Sequence, residues 1–258
     1  LTGINTALYE TEKFDVGEAA RDLRCCRADD QCDEPYGIEA VIDELCRLPG
    51  DFRIRLSSLE PAVVNAEYVK RLFKYDKLCH HLHLSAQSGS DSVLKAMNRP
   101  YGRDEYMRIV DELRRFDPYY GISTDIIVGF PGEKEKDFED SCTLVEKCGF
   151  CKTHIFKYSK RPFTKAAGMK GQVAPEVKNR RSDTLHRLGK KTADSFFSLN
   201  QNREERVLFE EIYEEKQMIT GYADNYIKVY IRYESLDEAK KMLNSFAAVK
   251  LVEPYGEG

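Results

Sequence analysis

The chain has 258 residues and a net charge of −4 at neutral pH, long enough to bury a substantial core in one large or two smaller domains. No apolar run approaches the length that spans a membrane, the start lacks a secretory layout, and the modest net charge gives no global sign of nucleic acid. Eight cysteines without a regular framework argue for reduced thiols and a cytoplasmic setting.

In chain order, strand-like and helical segments alternate. "LTGINT" opens as a strand, followed by "DVGEAARDLRCCRADDQCDEPY" (15–36), a polar insertion that reads as a loop. "YGIEAVIDELCRL" (36–48) has helical spacing, "FRIRLSSLE" (52–60) reads as a strand, and Pro61 starts a helix carrying Val64, Leu72 and Phe73. "HHLHLSAQ" is the third strand, followed by helices at "SDSVLKAM" and 103–116. "ISTDIIVGF" (122–130) is the fourth, then a helix with Phe138, Leu144 and Val145; "KTHIFKYS" (152–159) is the fifth, and a basic helix spans 175–200. Repeated βα units predict a parallel sheet with right-handed crossovers, either open or closing toward a barrel. From Arg206 the pattern changes to "VLFEEIYEE", "QMITGYA", "NYIKVYIR" and "AAVKLVEP", with one helix at 236–243. This predicts a small antiparallel β-barrel or sheet as a second domain.

The strands of the first part are two-faced. Leu82, Leu84 and Ala86 alternate with His83, Ser85 and Gln87; Ile54 and Leu56 with Arg53, Arg55 and Ser57; Ile126 and Val128 oppose Ser123 and Asp125. A strand covered by helices on its outer face points its other face at the barrel interior, and ligands bind at strand carboxyl ends. The polar sets are therefore expected to line a cavity that takes a polar ligand. The loops "SGSD" and "VGFPGE" add hydroxyls, amides and two glycines at those ends, with Gly129 and Gly132 expected to let a ligand approach the backbone. His80 and His81 are expected at the surface and His83 in the lining. Cys148 and Cys151 form an isolated "CGFC", read as an incidental pair rather than a zinc or redox site.

"LTGINT", "RIRLSSLEP", "HLHLSAQSGSD" with "LKAMNRPY", "TDIIVGFPGE", and "HIFKYSKRPFTKAA" stand in the order seen in radical S-adenosylmethionine methylthiotransferases. The chain resembles the MtaB-like branch acting on threonylcarbamoyladenosine in tRNA, on "LTGINTALY", "RLSSLEP" and "HLHLSAQSG". The resemblance implies an α/β fold: a partial parallel (β/α) barrel over residues 1–200, missing its first strand and cluster loop, and a TRAM-like β domain over 201–258 that binds RNA. It implies S-adenosylmethionine over the strand ends and two 4Fe-4S clusters in the full-length enzyme. Gly3, Asn5, Ser57 and Glu60 would serve the methionyl amino group, Gln87 and Ser88 the ribose and carboxylate, Asp125, Ile127 and Gly129 the adenosine, and Tyr158 the far wall.

The chain departs from that family in lacking a CxxxCxxC; Cys25, Cys26 and Cys32 are spaced CCx5C inside the polar insertion. The expectation is a chain that starts after the cluster loop and is inactive without it. Between Lys152 and Lys191 there are 12 Lys or Arg against Glu176 and Asp183, an excess of +10. That stretch is either a phosphate-binding surface or a solvated basic face. Lys178, Arg180 and Arg181 are the candidate tRNA contacts, with Tyr222 and Tyr226 as candidate stacking residues or core. The partner expected is tRNA, without membrane or DNA, and the sulfur donor stays unnamed. The alternatives are a sister enzyme acting on isopentenyl-adenosine tRNA or a ribosomal protein, and a catalytically silent RNA-binding protein.

Overall fold

The computed structural model of the chain describes residues 37–255. The "LTGINT" strand, Gly3, Asn5, the 15–36 insertion and Cys25, Cys26 and Cys32 lie outside these residues.

Helix α1 (Ile38–Arg47) turns Ile38 and Ile42 inward. The segment 52–60 does not form the expected continuous strand. It runs beside its neighbour through two isolated parallel bridges, Ile54 with Leu78 and Leu59 with Leu84, yet it keeps the alternation, with Ile54 and Leu56 buried. Pro61 sits in a turn, and α2 (Ala66–Leu72) begins later, where the Asn65 side chain accepts the Tyr68 N–H at 2.8 Å. Strand β1 (His81–His83) is short; α3 (Asp91–Ala96) and α4 (Arg103–Phe116) follow. Strand β2 (Gly121–Val128), α5 (Glu135–Cys148), β3 (Lys152–Lys157) and the long α6 (Pro175–Asn200) complete the βα series.

The sheet order is β1-β2-β3, all parallel, with Asp125 opposite His154 and Ile127 opposite Phe156. Leu82, Leu84, Ile122 and Ile126 are fully enclosed against the helices together with Ile109, Leu113 and Leu144. Each such side chain contributes roughly 1.5–3 kcal/mol by leaving water, so the outer face holds the layer together and the inner face is free to be polar.

The second sheet contains β4 (Glu204–Tyr213), β5 (Met218–Tyr222), β6 (Lys228–Arg232) and β7 (Phe246–Lys250), in the order β6-β5-β4-β7. Its pairings are antiparallel, and β4 shifts register between Phe209 and Glu211. It is a curled half-barrel rather than a closed barrel, since β6 and β7 remain edges. Helix α7 (Leu236–Met242) packs Ala239 into the sheet's own core with Val207, Phe209 and Ile219.

This sheet docks under the amino ends of the parallel strands. Arg53 donates to the Tyr222 carbonyl at 3.2 Å and pairs with Asp224 at 3.6 Å. Asn225 donates to Tyr119 O at 3.1 Å and to Asn200 Oδ1 at 2.9 Å. Arg206 pairs with Asp51 across the junction. A cavity of about 120 Å³ remains there, lined by Arg53, Arg55, Cys79, Leu208, Glu210 and Tyr222. The backbones approach closely at Gly121, where a Cβ would lie 2.2 Å from the Asn225 carbonyl oxygen. Gly121→Ala is expected to lower stability by about 1–3 kcal/mol through overpacking. Gly168→Ala, whose Cβ meets nothing within 4 Å, should be close to neutral. Urea unfolding of both variants checks this; equal midpoints would show that the junction yields freely.

Candidate active site at the carboxyl ends of the parallel strands

Strand parity carries a column of polar side chains along the inner face. His81 Nε2 lies 3.1 Å from Ser123 Oγ, and Ser123 Oγ lies 2.9 Å from His83 Nδ1. His83 Nε2 then lies 3.1 Å from Asp125 Oδ2, which also accepts the Ser85 hydroxyl at 2.9 Å. A carboxylate only accepts, so in the neutral form of His83 the proton sits on Nε2 and Nδ1 is left to accept from the Ser123 hydroxyl. Ser123 in turn accepts from His81 Nε2–H. One carboxylate thus orients the whole chain of hydrogen bonds.

Burial works against ionising Asp125, but hydrogen bonds from His83 and Ser85 and the nearby imidazoles outweigh it and hold its carboxyl below the usual range. His154, opposite Asp125, is shifted down chiefly by burial. His83, Asp125 and His154 bring ligating atoms within 4.8 Å of one another, a two-imidazole, one-carboxylate set able to take a divalent metal.

His81 is not at the surface as expected. It is 4% exposed, because positions 81 and 83 share a strand face. Burial, Arg55 and His83 push its pKa down to about 3, and its Nδ1 has no hydrogen-bond partner among the described residues. The Tyr226 ring lies 4.5 Å from His81, with the Arg55 guanidinium 4.4 Å from that ring. Tyr226 also stacks on Tyr222 at 4.7 Å. Both candidate stacking residues therefore lie at the junction, with Tyr226 beneath the amino end of the polar column. His80 lies there too, 2.8 Å from Asp117 and stacked on Tyr120.

Above the column, Gln87 takes a left-handed φ of 62°. Its backbone N–H donates to Asp125 O at 2.8 Å and its backbone carbonyl accepts from Ile127 N at 2.9 Å, so Gln87, Asp125 and Ile127 come together at one strand end. Tyr158 joins them, its amide donating to Val128 O at 2.9 Å. Ser57 and Glu60 stand on the 52–60 segment, Glu60 ion-paired with Arg99. Ser88 is buried, with its hydroxyl 3.4 Å from Ser141 Oγ on α5 rather than facing the cavity.

The loop after β2 is shaped by the protein's own groups. Gly129 (φ 73°) is covered by Lys178, whose Cγ would lie 2.4 Å from an added Cβ. Lys178 Nζ donates to Tyr158 O at 2.8 Å. The glycine expected to admit a ligand admits a helix side chain. Glu133 accepts Gly129 N at 3.0 Å and Arg181 Nη1 at 2.6 Å, and burial raises its pKa. Arg181 is only 3% exposed and also pairs with Glu135 at 3.0 Å. As a candidate tRNA contact it is therefore misplaced: it falls on the buried stripe of α6 with Leu185 and Gly189, a helical spacing visible in the sequence. Arg180 is exposed and pairs with Glu135 at 3.0 Å.

The described cysteines do not cluster. Cys148 packs in the first core and Cys151 in the second; burial pushes both thiols up to about 12.

A sequence profile described as the radical SAM superfamily matches residues 29–145. The chain carries a radical SAM domain. It is 45% identical over 182 residues to threonylcarbamoyladenosine tRNA methylthiotransferase MtaB of Thermotoga maritima, covering 70% of this chain and 42% of that protein. The MtaB of Bacillus subtilis is 34% identical over 265 residues, covering 100% and 53%. The tRNA-2-methylthio-N(6)-dimethylallyladenosine synthase of Campylobacter jejuni is 36% identical over 222 residues, covering 84% and 50%. The chain spans about half the length of these curated relatives. Coproporphyrinogen III oxidase HemN of Escherichia coli, a radical SAM enzyme, shares the fold with a TM-score of 0.51 at 12% identity, over 85% of this chain and 57% of that one.

A radical SAM domain implies S-adenosylmethionine and a 4Fe-4S cluster. The strand end offers groups that fit a polar cofactor: Tyr158, whose ring packs at 5.3 Å from Phe130, keeps a buried hydroxyl with no hydrogen-bond partner in the described residues, and its backbone joins β2 at Val128, next to Ile127. No group of described cysteines fits a cluster.

With His81 neutral when folded and titrating near 6.5 when unfolded, the unfolded state binds the extra proton between about pH 6.5 and 3. Stability should therefore fall with falling pH in that window, by at most about 1.4 kcal/mol per pH unit from this group. His81→Gln is expected to flatten the loss between pH 7 and pH 4 in urea titrations. An unchanged slope would mean that His81 is accessible to protons.

Proposed function

We propose that this chain is the core of a tRNA methylthiotransferase that adds a methylthio group to threonylcarbamoyladenosine next to the anticodon. The observation that supports this is the 45% identity to the Thermotoga MtaB over 182 residues, against 39% over the same length to the dimethylallyladenosine synthase of Helicobacter acinonychis; the Bacillus MtaB matches along the whole chain.

When bound and reduced through its cluster, S-adenosylmethionine supplies the radical that attacks an unreactive C–H bond. This chain's residues bind and orient it. Gln87 and Tyr158 offer hydrogen-bonding groups, Ile127 offers apolar surface, and Asp125, held ionised by His83 and Ser85, fixes a negative charge at the cavity floor. Ser57 and Glu60 serve the methionyl end, with Arg99 holding the Glu60 carboxylate in place. Gly3 and Asn5 complete that end, and Gly129 and Ser88 act through the backbone near the adenosine and carboxylate. Two 4Fe-4S clusters belong to the whole enzyme, with ligands outside this chain, and the chain alone is inactive.

In this reading residues 1–200 form the radical SAM barrel and 201–258 a TRAM-like RNA-binding domain. The tRNA crosses the exposed cations of the β3–α6 loop and α6, among them Lys160, Arg161, Lys165, Arg180 and Arg187, and the enzyme works in the cytoplasm, where tRNA is. The test is mass spectrometry of tRNA nucleosides from a strain lacking the gene. Loss of 2-methylthio-threonylcarbamoyladenosine is expected, restored by the wild-type gene and by far less with Asp125→Ala. Loss of the dimethylallyl nucleoside instead would assign the sister activity, and unchanged nucleosides would point to a silent RNA-binding protein.

A further inference from the structure

The loop between β3 and α6 presents an aromatic ring that the fold does not use. Phe163 is 107% exposed, so nothing in the protein covers its ring. Its backbone stands at φ 67°, a left-handed conformation in which a bulky side chain is an outlier. The Thr164 amide donates to the Arg161 carbonyl at 3.3 Å, which makes Pro162 and Phe163 the two central residues of a turn. A turn with Pro second and a positive φ third ordinarily takes Gly there. Phenylalanine brings backbone strain to this position and gains no packing in return. Such a residue points to use outside the chain.

The loop's own hydrogen bonds hold the backbone that carries the ring. Thr164 Oγ1 donates to Arg161 O at 2.8 Å and accepts from Ala167 N at 3.3 Å. Gln172 Nε2 donates to Ala166 O at 3.1 Å and Met169 O at 3.0 Å. Gly132 N donates to Gly171 O at 2.8 Å, which ties the loop to the one following β2. Phe163 is thereby fixed five residues beyond Tyr158, on the carboxyl-end side of the sheet where the candidate cofactor residues converge.

Its surroundings select the ligand. Lys160, Arg161, Lys165 and Lys170 are all exposed, and none makes an ion pair among the described residues. A protein partner would call for apolar neighbours around the ring. A lone ring among unpaired cations matches the requirements of single-stranded nucleic acid, in which bases stack on aromatics and phosphates meet lysine and arginine. We propose that Phe163 stacks on an unpaired RNA base next to the nucleotide delivered to the strand-end cavity, while Lys160, Arg161 and Lys165 hold the flanking phosphates. This rests on the tRNA reading and adds the residue that grips the loop.

The chain contains no tryptophan, so Phe163→Trp installs a single fluorescent reporter. Titration with an RNA hairpin matching a tRNA anticodon arm should quench that fluorescence at an affinity near wild type. Phe163→Ala should weaken binding about ten-fold with the salt slope unchanged, because no phosphate contact is lost. The pair Lys160→Glu and Arg161→Glu should instead weaken binding and flatten the slope. Phe163→Gly should lose binding as Phe163→Ala does while its thermal unfolding matches or exceeds wild type, since the glycine relieves the left-handed strain, which excludes misfolding as the cause. If wild type binds the hairpin and Phe163→Ala binds as tightly, without quenching in Phe163→Trp, the stacking role is overturned and the tRNA reading stands. If neither wild type nor any variant binds the hairpin, both fail together.

Discussion

The hydrogen bonds from His83 and Ser85 to Asp125, at 3.1 and 2.9 Å, set the polarity of everything along the inner face of the parallel sheet. A half-buried carboxylate only accepts, so it fixes which nitrogen of a neutral His83 carries the proton, and in that form the choice passes through Ser123 to His81. The column ends at a His81 nitrogen with no partner among the described residues, kept neutral by its burial. The arrangement is possible because the outer face of the same strands, with Leu82, Leu84, Ile122 and Ile126, supplies the packing.

The two ends of the column differ. At the amino end the second sheet seals it, through Asn225 against Gly121, Asp224 beside Arg53 and His80, and Tyr226 against His81 and Arg55. At the carboxyl end Gln87, Asp125, Ile127 and Tyr158 meet. The antiparallel sheet thus forms the amino-end floor beneath the polar column, opposite the end where those residues meet.

Helix α6 links these parts. Its inner stripe carries Arg181 to the buried Glu133 and so folds the loop after β2 onto Gly129, while Lys178 covers that glycine and holds the Tyr158 carbonyl. Its outer face keeps Arg180, Arg187, Lys190 and Lys191 in solvent. The positive charge that looks uniform along the sequence is divided by the helix into a structural pair, Lys178 and Arg181, and a solvent-facing remainder. Removing one partner of the Arg181–Glu133 pair would strand a buried charge, whereas removing an outer cation would not.

Periodicity by itself determined much of this protein. Helices at 103–116 and 175–200 and the strand over 121–128 follow from spacing that each residue's near neighbours dictate, as does the polar parity of His83, Ser85, Gln87 and Asp125. The family motifs added which strand ends to look at. Tertiary structure alone decided which elements meet: that His154 stands opposite Asp125, that Tyr226 lies under His81, that Lys178 covers Gly129, and that the 52–60 segment pairs through isolated bridges. Two misplacements, His81 and Arg181, were legible in principle, since each shares a strand face or helix stripe with residues already placed inside. The others were not, because side-chain alternation reports the face a residue occupies, while register and docking depend on contacts between segments far apart in the chain.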